Sequence, residues 1–159
     1  MSQAKTNAMR MLEKAGIPFE VRTYGHEDGL IDGVSVAAKV GLAPEQVFKT
    51  LVTQGASRQF YVFVLPVQRE LDLKKAAKSV GEKSVEMIHM ADLQKTTGYI
   101  RGGCSPVGMK KLFPTVIDGS ARSQPAIAVS GGRIGVQVLV EPEALASLVK
   151  ARFASIAVE

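Results

Sequence analysis

The most informative stretch of this 159-residue chain is Val47-Phe48-Lys49-Thr50-Leu51-Val52-Thr53. β-Branched and aromatic residues dominate it, and the flanking Pro44 and Gly55 delimit a predicted β-strand. Because side chains alternate between the two faces of a strand, Lys49 shares a mostly apolar face with Val47 and Leu51. Burial of an ammonium group is costly unless it is paired. Lys49 therefore lies either at a sheet edge, where it reaches water, or in a cavity where it has a chemical task.

The segment after Gly55–Arg58 favours the second alternative. It reads Gln59-Phe60-Tyr61-Val62-Phe63-Val64-Leu65 and predicts the other strand of a hairpin. Because this strand is apolar on both faces, we expect it to lie in the interior of a sheet. The strand of Lys49 is then less exposed than a true edge strand, although both alternatives stay open.

The rest of the chain alternates between short predicted helices and strands. Helical spacing and capping residues predict helices at 6–15, from Ser35 to Val40, from Asp72 to Val80, at 91–97 and from Pro142 onward. Further strands are predicted at 19–24, 84–89, 115–118, 126–130, 134–140 and 153–158, with Gly131-Gly132 as the turn of a second hairpin. This pattern is typical of an α+β protein with a mixed, strongly curved sheet, and we expect one domain over residues 1–159.

Composition limits the class of protein. Hydrophobic residues make up 46% and charged residues 22%, as in an ordinary globular domain. No apolar run approaches the roughly 20 residues that cross a bilayer, and the segment Met1–Lys5 lacks a signal-peptide core. With one cysteine, an intrachain disulfide is excluded. These features predict a cytoplasmic protein that does not bind membranes.

The charge balance permits contact with nucleic acid. The net charge is +5, but aromatic residues make up only 6% and tryptophan is absent. If the chain binds nucleic acid, backbone electrostatics should therefore outweigh base stacking. A cationic surface without a nucleic-acid partner is the alternative.

Residues that could act as metal ligands or nucleophiles give little support for such sites. His26 lacks a second ligand at a metal-binding spacing and is predicted to lie on the surface, while His89 is predicted to be a partly buried structural residue. Neither histidine is placed by the sequence to activate Cys104. Glycine motifs of nucleotide-cofactor sites are also absent, so we predict neither a metal nor a cofactor.

The segment from Gly98 to Gly108 is unusually rich in glycine. Glycine allows positive φ angles and close approach of the backbone to a ligand. Exposed amides in such a loop can bind an anion or a developing oxyanion. A long connection without a function is the alternative.

Three segments occur in an order that resembles a known family: 47–51, 98–111 and 129–132. The chain is similar to the YbaK family of aminoacyl-tRNA deacylases, which is related to the editing domain inserted in bacterial prolyl-tRNA synthetases. This resemblance implies a barrel-like sheet ringed by helices. It also implies removal of a wrong amino acid from mischarged tRNA, chiefly cysteine from tRNA(Pro), and we expect prolyl-tRNA synthetase as a transient partner.

The resemblance also implies functional residues. Lys49 matches the essential lysine, and Gly102 matches the glycine beside the substrate carbonyl. Ser130 and Tyr24 match residues that line the pocket, and Thr50 accompanies the lysine. We therefore expect these five residues to form one site.

Three more residues complete the expected site. The amide of Gly103 is expected to join that of Gly102 in binding the oxyanion, and Arg101 is expected to bind substrate. The family usually carries an aspartate where this chain has Gln137, a change that could alter the amino acid removed. We expect a mechanism without a protein nucleophile, in which the thiol of the substrate cysteine attacks its own ester. A water-dependent deacylase for alanine and a non-catalytic module that binds charged tRNA or a synthetase are the alternatives.

Overall fold

A computed structural model describes residues 5–159, so residues 1–4 of the N-terminal segment considered above lie outside the described part. The described residues form five α-helices: α1 Asn7–Lys14, α2 Gly33–Val40, α3 Leu73–Val80, α4 Met90–Thr97 and α5 Pro142–Val149. They also form eight strands: β1 Glu20–Thr23, β2 Phe48–Gly55, β3 Phe60–Pro66, β4 Val85–Met87, β5 Thr115–Asp118, β6 Ile127–Ser130, β7 Val136–Val140 and β8 Arg152–Ala154. No helix within residues 5–159 has the length and apolarity needed to cross a membrane.

The strands form two sheets. The larger has the order β4-β2-β3-β5-β8, antiparallel from β4 to β3 and parallel from β3 to β8. The smaller is antiparallel with the order β1-β7-β6, and a parallel bridge between Val47 and Ala128 links it to β2. The predicted α+β class with a mixed, curved sheet is confirmed, and the strands divide into two linked sheets that do not close into a barrel.

The main hydrophobic core draws on both sheets. Phe48 and Val52 of β2 pack in one cluster with Val129 of β6 and Val138 of β7, and α1 and α5 contribute to the same cluster. On the opposite face of the larger sheet, Tyr61, Phe63 and Leu65 pack against α3. Side chains on both faces of β2 therefore contribute to a hydrophobic core. The same holds for β3, as its apolar sequence predicted.

Helix ends follow the expected capping chemistry at α3 and differ at α2. Asp72 caps α3, because its carboxylate accepts from the backbone N–H groups of Lys74 and Lys75 at 3.0 Å each. The predicted cap of α2 at Ser35 is wrong: Asp32 is the cap, accepting from the Ser35 N–H at 3.1 Å. The helix thus begins one turn earlier than expected, since Asp and Ser are equally good caps and only the position of the first turn distinguishes them.

Several predicted strands are shorter in the structure, among them the one predicted at 84–89, which covers only Val85–Met87, and two others show the reason. The second hairpin turns over residues 131–135, so Ile134 precedes β7, and Gly132 and Gly135 have φ angles of +107° and +94°. The last strand ends at Ala154, because the next backbone groups bond elsewhere: Ile156 donates to the Asp118 carboxylate at 3.1 Å. Both differences depend on tertiary hydrogen bonds that local pattern does not encode.

Strand β2 is paired along its whole length on one side and only at its two ends on the other. β3 pairs with it from Phe48 to Gln54, which confirms the first hairpin and places β3 between β2 and β5. On the other side, β4 pairs only from Thr53 onward, and the bridge to the smaller sheet is at Val47. Residues 49–51 therefore lie at a gap between the two sheets.

Candidate functional site

A cavity of about 380 Å³ opens at this gap in the edge of β2. β2, β6 and β7, the end of β1, the start of α2 and the glycine loop all contribute to its walls. It brings together every predicted site residue except Gly103, namely Tyr24, Lys49, Thr50, Arg101, Gly102, Ser130 and Gln137. Lys49 and Thr50 point to opposite faces of β2, yet both reach the cavity because it lies along the free edge of the strand.

Lys49 is half-buried in this cavity. Burial lowers the pKa of its ammonium group below the ordinary value of 10.5, and the charge of Glu70 partly opposes that shift. Within residues 5–159 no carboxylate lies within ion-pair distance of this amine. Lys49 combines the two alternatives: it lies at the unpaired stretch of the β2 edge, and it lines the cavity, where the cation is available to an anionic ligand group.

Three residues that line this cavity each carry a buried side-chain oxygen without a hydrogen-bond partner in the described part of the chain. These oxygens are the hydroxyl of Tyr24, Oγ1 of Thr50 and Oε1 of Gln137. A buried polar atom without a partner costs about 1–3 kcal/mol, and such atoms are rare in native structures. All three belong to residues that line one cavity, where a bound molecule with N–H or O–H groups would supply the missing partners.

Gly102 brings the backbone into the cavity. Its φ angle is +86°, and a Cβ there would lie 3.0 Å from Cδ1 of Ile31 and 3.2 Å from Cγ1 of Ile134. A side chain would therefore be strained and crowded. The N–H of Gly102 makes no hydrogen bond within residues 5–159, so it is free to donate to a ligand.

Gly103 does not share this role. Gly103 is buried and does not line the cavity, and its N–H donates to the carbonyl of Ile100 at 3.0 Å. A Cβ at Gly103 would lie 2.9 Å from Cα of Arg133, so glycine is needed there for packing. The expectation of a second oxyanion amide at Gly103 is therefore corrected, since this N–H already has a partner.

Ser130 offers a different donor. It is 8% exposed, and its Oγ accepts from the N–H of Gly132 at 3.2 Å. Since no described residue accepts the hydroxyl proton of Ser130, this proton can be donated into the cavity. Arg101 stands exposed at the rim.

Cys104 lines the cavity but is poorly suited to act as a nucleophile. Burial raises the pKa of its thiol to about 12, so the thiolate is scarce at neutral pH. Neither His26 nor His89 lines this cavity. His26 is exposed as predicted, whereas the prediction that His89 is partly buried is wrong, because it lies exposed before α4. No group of His, Cys, Asp and Glu in the described range could hold a metal ion.

Sequence reasoning missed the apolar wall of the cavity. Ile31, Val36 and Val67 line it, and Ile31 lies against the Gly102 loop. Ile31 belongs to a segment whose sequence is typical of a polar connection. An apolar side chain in such a segment was the one sign in the sequence that Ile31 contributes to the cavity wall. Its contact with Gly102 joins residues 71 positions apart, which local pattern does not reveal.

Comparisons with known proteins show which proteins the chain resembles. The model of the aminoacyl-tRNA editing domain family matches residues 32–148. A relative from Enterococcus faecalis, provisionally named Cys-tRNA(Pro)/Cys-tRNA(Cys) deacylase EbsC, is 48% identical over 98% of this chain and 94% of its own length. A crystal structure provisionally described as a trans-editing enzyme for prolyl-tRNA synthetase has 25% identity and a TM-score of 0.85, covering 99% of this chain and all of the other. A hypothetical protein with 20% identity and a TM-score of 0.87, covering 96% of this chain and all of its own, shares the fold.

Proposed function

Because the chain belongs to the aminoacyl-tRNA editing domain family, we propose that it removes a misacylated amino acid from tRNA, with cysteine on tRNA(Pro) as its main substrate. The observation that carries this proposal is the cavity at β2, where one ammonium group without an ion-pair partner meets three unpaired buried oxygens of the described chain. A cation and several oxygens that need donors suit a ligand with a phosphate and a protonated amine, which are the two ends of an aminoacylated 3′-terminal nucleotide.

The three unpaired oxygens bind the α-ammonium group of the substrate. A primary ammonium group has three N–H donors, and Tyr24, Thr50 and Gln137 offer three oxygens that need partners. Proline has a secondary ammonium group with two N–H donors, because a ring carbon takes the third position. The same site therefore favours cysteine or alanine over proline and spares correctly charged Pro-tRNA(Pro).

Lys49 holds the 3′-terminal nucleotide. Its position at the free edge of β2 lets the ammonium group approach the phosphate and polarise the ester. Because the amine is half-buried, its attraction for an anion is screened less than that of a surface lysine.

The N–H of Gly102 and the hydroxyl of Ser130 donate to the carbonyl oxygen. Both line the cavity, and both have a proton that no other described residue accepts. As negative charge builds on that oxygen in the transition state, these two bonds strengthen more than in the ground state. Ser130 thus takes the place that the sequence suggested for Gly103.

With cysteine as substrate, no protein nucleophile is needed. The substrate sulfur attacks its own carbonyl carbon, a C–S bond forms, and the bond from carbon to the 3′ oxygen breaks. The thiol proton ends on the 3′ oxygen, so the products are a cyclic thiolactone and free tRNA. Cys104 takes no part, in keeping with the raised pKa of its thiol.

Recognition of the tRNA itself is expected to be weak and sensitive to salt. The net charge is only +5, and Arg101 at the cavity rim is exposed. We expect transient association with prolyl-tRNA synthetase to supply the choice of tRNA.

The test is a deacylation panel with Cys-tRNA(Pro), Ala-tRNA(Pro) and Pro-tRNA(Pro), combined with mass analysis of the released product. We expect fast loss of cysteine as the thiolactone and little loss of proline. Release of free alanine at a higher rate would instead support the water-dependent route that the neutral Gln137 keeps open. Binding of all three without release would establish the non-catalytic module.

A further inference from the structure

One peptide unit behind Ser130 is held at both ends. The hydroxyl of Thr6 donates to the carbonyl oxygen of Gly131 at 2.5 Å, and the N–H of Gly132 donates to Oγ of Ser130 at 3.2 Å. That carbonyl and that N–H belong to the same planar peptide unit and point in opposite directions. Thr6 and Ser130 thus bind the two ends of a single plane.

The conformational freedom of glycine would allow this peptide unit a second orientation. Gly132 has a φ angle of +107°, and rotation of the plane by half a turn would bring that angle into the negative range. Glycine adopts both ranges at similar cost, so the backbone itself hardly chooses between them. The contact with Thr6 favours the observed orientation. Oγ1 of Thr6 already accepts from the N–H of Met9, so a rotated plane would exchange the bond to the Gly131 carbonyl for a second N–H at the same oxygen and leave the Thr6 proton without an acceptor.

The orientation of this plane decides what the Ser130 hydroxyl can do. In the observed state Oγ accepts from Gly132, which leaves the Ser130 proton available to the cavity. In the rotated state the carbonyl of Gly131 would face Ser130 and take that proton. A hydroxyl has one proton, so it cannot serve the carbonyl and a ligand equally well.

Thr6 is itself held in place, so it can fix the orientation of this peptide unit; we call this contact the lock. It is 9% exposed, and its Oγ1 also accepts from the N–H of Met9 at 3.1 Å as the cap of α1. Next to it, Asn7 donates to the carbonyl of Gly108 at 3.0 Å, which ties the same helical turn to the glycine loop. The start of α1 therefore contacts both loops that border the cavity.

We propose that Thr6 is a positioning residue that keeps the Gly131–Gly132 peptide in the orientation in which Ser130 donates its proton to the substrate carbonyl. This inference rests on the proposed deacylation for its catalytic consequence. The lock itself is a property of the free protein and can be measured without any substrate.

The kinetic test compares Thr6→Val with Thr6→Ser on Cys-tRNA(Pro). Thr6→Val loses the donor, so we expect kcat to fall by about tenfold or more with little change in KM, as when a donor to an oxyanion is weakened. Thr6→Ser keeps both hydrogen bonds and should stay within about twofold of wild type. In a Ser130→Ala background the Thr6→Val effect should vanish, because the group that Thr6 positions is gone. A full additional loss in that background would overturn the proposal.

Loss of the α1 cap has its own control. Asp72→Ala removes the cap of α3 at a similar stability cost of about 1 kcal/mol, far from Ser130 in the chain. We expect this variant to keep kcat within about twofold, since it leaves the peptide orientation unchanged. An equal loss of kcat in Asp72→Ala and Thr6→Val would show that helix stability, and not the lock, controls the rate.

The second test needs no activity and separates the lock from the proposed function. We expect the Gly132 amide to exchange with solvent at least about tenfold faster in Thr6→Val than in wild type or Thr6→Ser. Gly132→Ala should also lower kcat, because alanine favours negative φ and its Cβ would lie 3.1 Å from Cβ of Thr6, while Gly16→Ala, at φ +72° with open space around it, is the control for backbone strain alone. Equal exchange rates of the Gly132 amide in all variants would contradict the positioning role of Thr6. If wild type has no deacylase activity but the Gly132 amide exchanges faster in Thr6→Val, the positioning role stands and only the proposed deacylation is contradicted.

Discussion

Two cavities border β2 and its neighbours, and the larger of them is the less suited to chemistry. It has a volume of about 470 Å³ and lies between the β2–β3 turn, β4 and α4. Its charged groups are exposed or paired, as Asp92 is with Lys95 at 2.9 Å. The smaller cavity, of about 380 Å³, is lined by all three residues of the range 5–159 that carry an unpaired buried side-chain oxygen.

This difference shows what identifies a binding site in this fold. Size reflects how the elements happen to meet at the surface, whereas an unpaired buried oxygen costs stability that a bound hydrogen-bond donor recovers. The same strand contributes to both cavities, with Lys49 and Thr50 in one and Gln54 and Gly55 in the other. Matched substitutions along β2 and around it can therefore test the comparison.

The largest expected effect follows from removing the cation of the smaller cavity. Lys49→Ala should lower single-turnover deacylation of Cys-tRNA(Pro) by about 10²–10³-fold, because a preorganised charge at the reacting ester is lost. Lys95→Ala removes a lysine of the larger cavity and should change the rate by less than about twofold, since it breaks only a surface ion pair. Similar losses of deacylation rate in the two variants would contradict the claim that only the smaller cavity takes part in the reaction.

The pH dependence of the rate should follow Lys49. Because burial lowers the pKa of this amine below 10.5, the active cationic form disappears as pH rises through that lowered pKa. Beyond it the rate should fall about tenfold per pH unit, and Lys49→Arg should remove the fall. The folding free energy should move the opposite way: the unfolded chain binds the proton more tightly there, so stability rises with pH between the lowered pKa and 10.5. A rate that stays flat up to pH 10.5 would remove Lys49 as the titrating group.

A smaller effect separates two threonines of β2. Thr50→Val removes an unpaired buried hydroxyl, so it should raise the free energy of unfolding by up to about 1 kcal/mol while it weakens deacylation. Thr53→Val removes a hydroxyl that donates to the Tyr61 carbonyl at 3.2 Å, so it should lower that free energy by about 0.5–1.5 kcal/mol and leave the rate unchanged. Denaturant unfolding measures both, and the same sign of change in both variants would contradict the account.

The smallest effect is expected at the cysteine. Cys104→Ala should keep the deacylation rate within about twofold, because the thiol is protonated at neutral pH and the mechanism does not use it. Alkylation of wild type with a small thiol reagent should be slow for the same reason. A rate loss of the size seen in Lys49→Ala would restore Cys104 as a nucleophile.

Much of this site could be predicted because its residues stand in distinctive local patterns. The hairpin of β2 and β3, the lysine on an apolar strand and the glycine-rich loop all depend on neighbours in sequence. The division into two sheets could not be predicted, since strand patterns specify which face is buried and not which strand lies alongside. The different roles of Gly102 and Gly103 were equally hidden, because the N–H of Gly103 is taken by a carbonyl whose position is set by the folded loop.

The binding of the α-ammonium group can be measured with two stable ligands, cysteinyl adenosine linked through a 3′ amide and its 3-mercaptopropionyl counterpart, which lacks only the amine. By calorimetry, wild type should bind the amine-bearing ligand at least about tenfold more tightly, a difference of about 1.4 kcal/mol. Thr50→Val should reduce that preference, because it removes one of the three oxygens. Equal affinity of wild type for the two ligands would show that the unpaired oxygens of the cavity do not bind the amine.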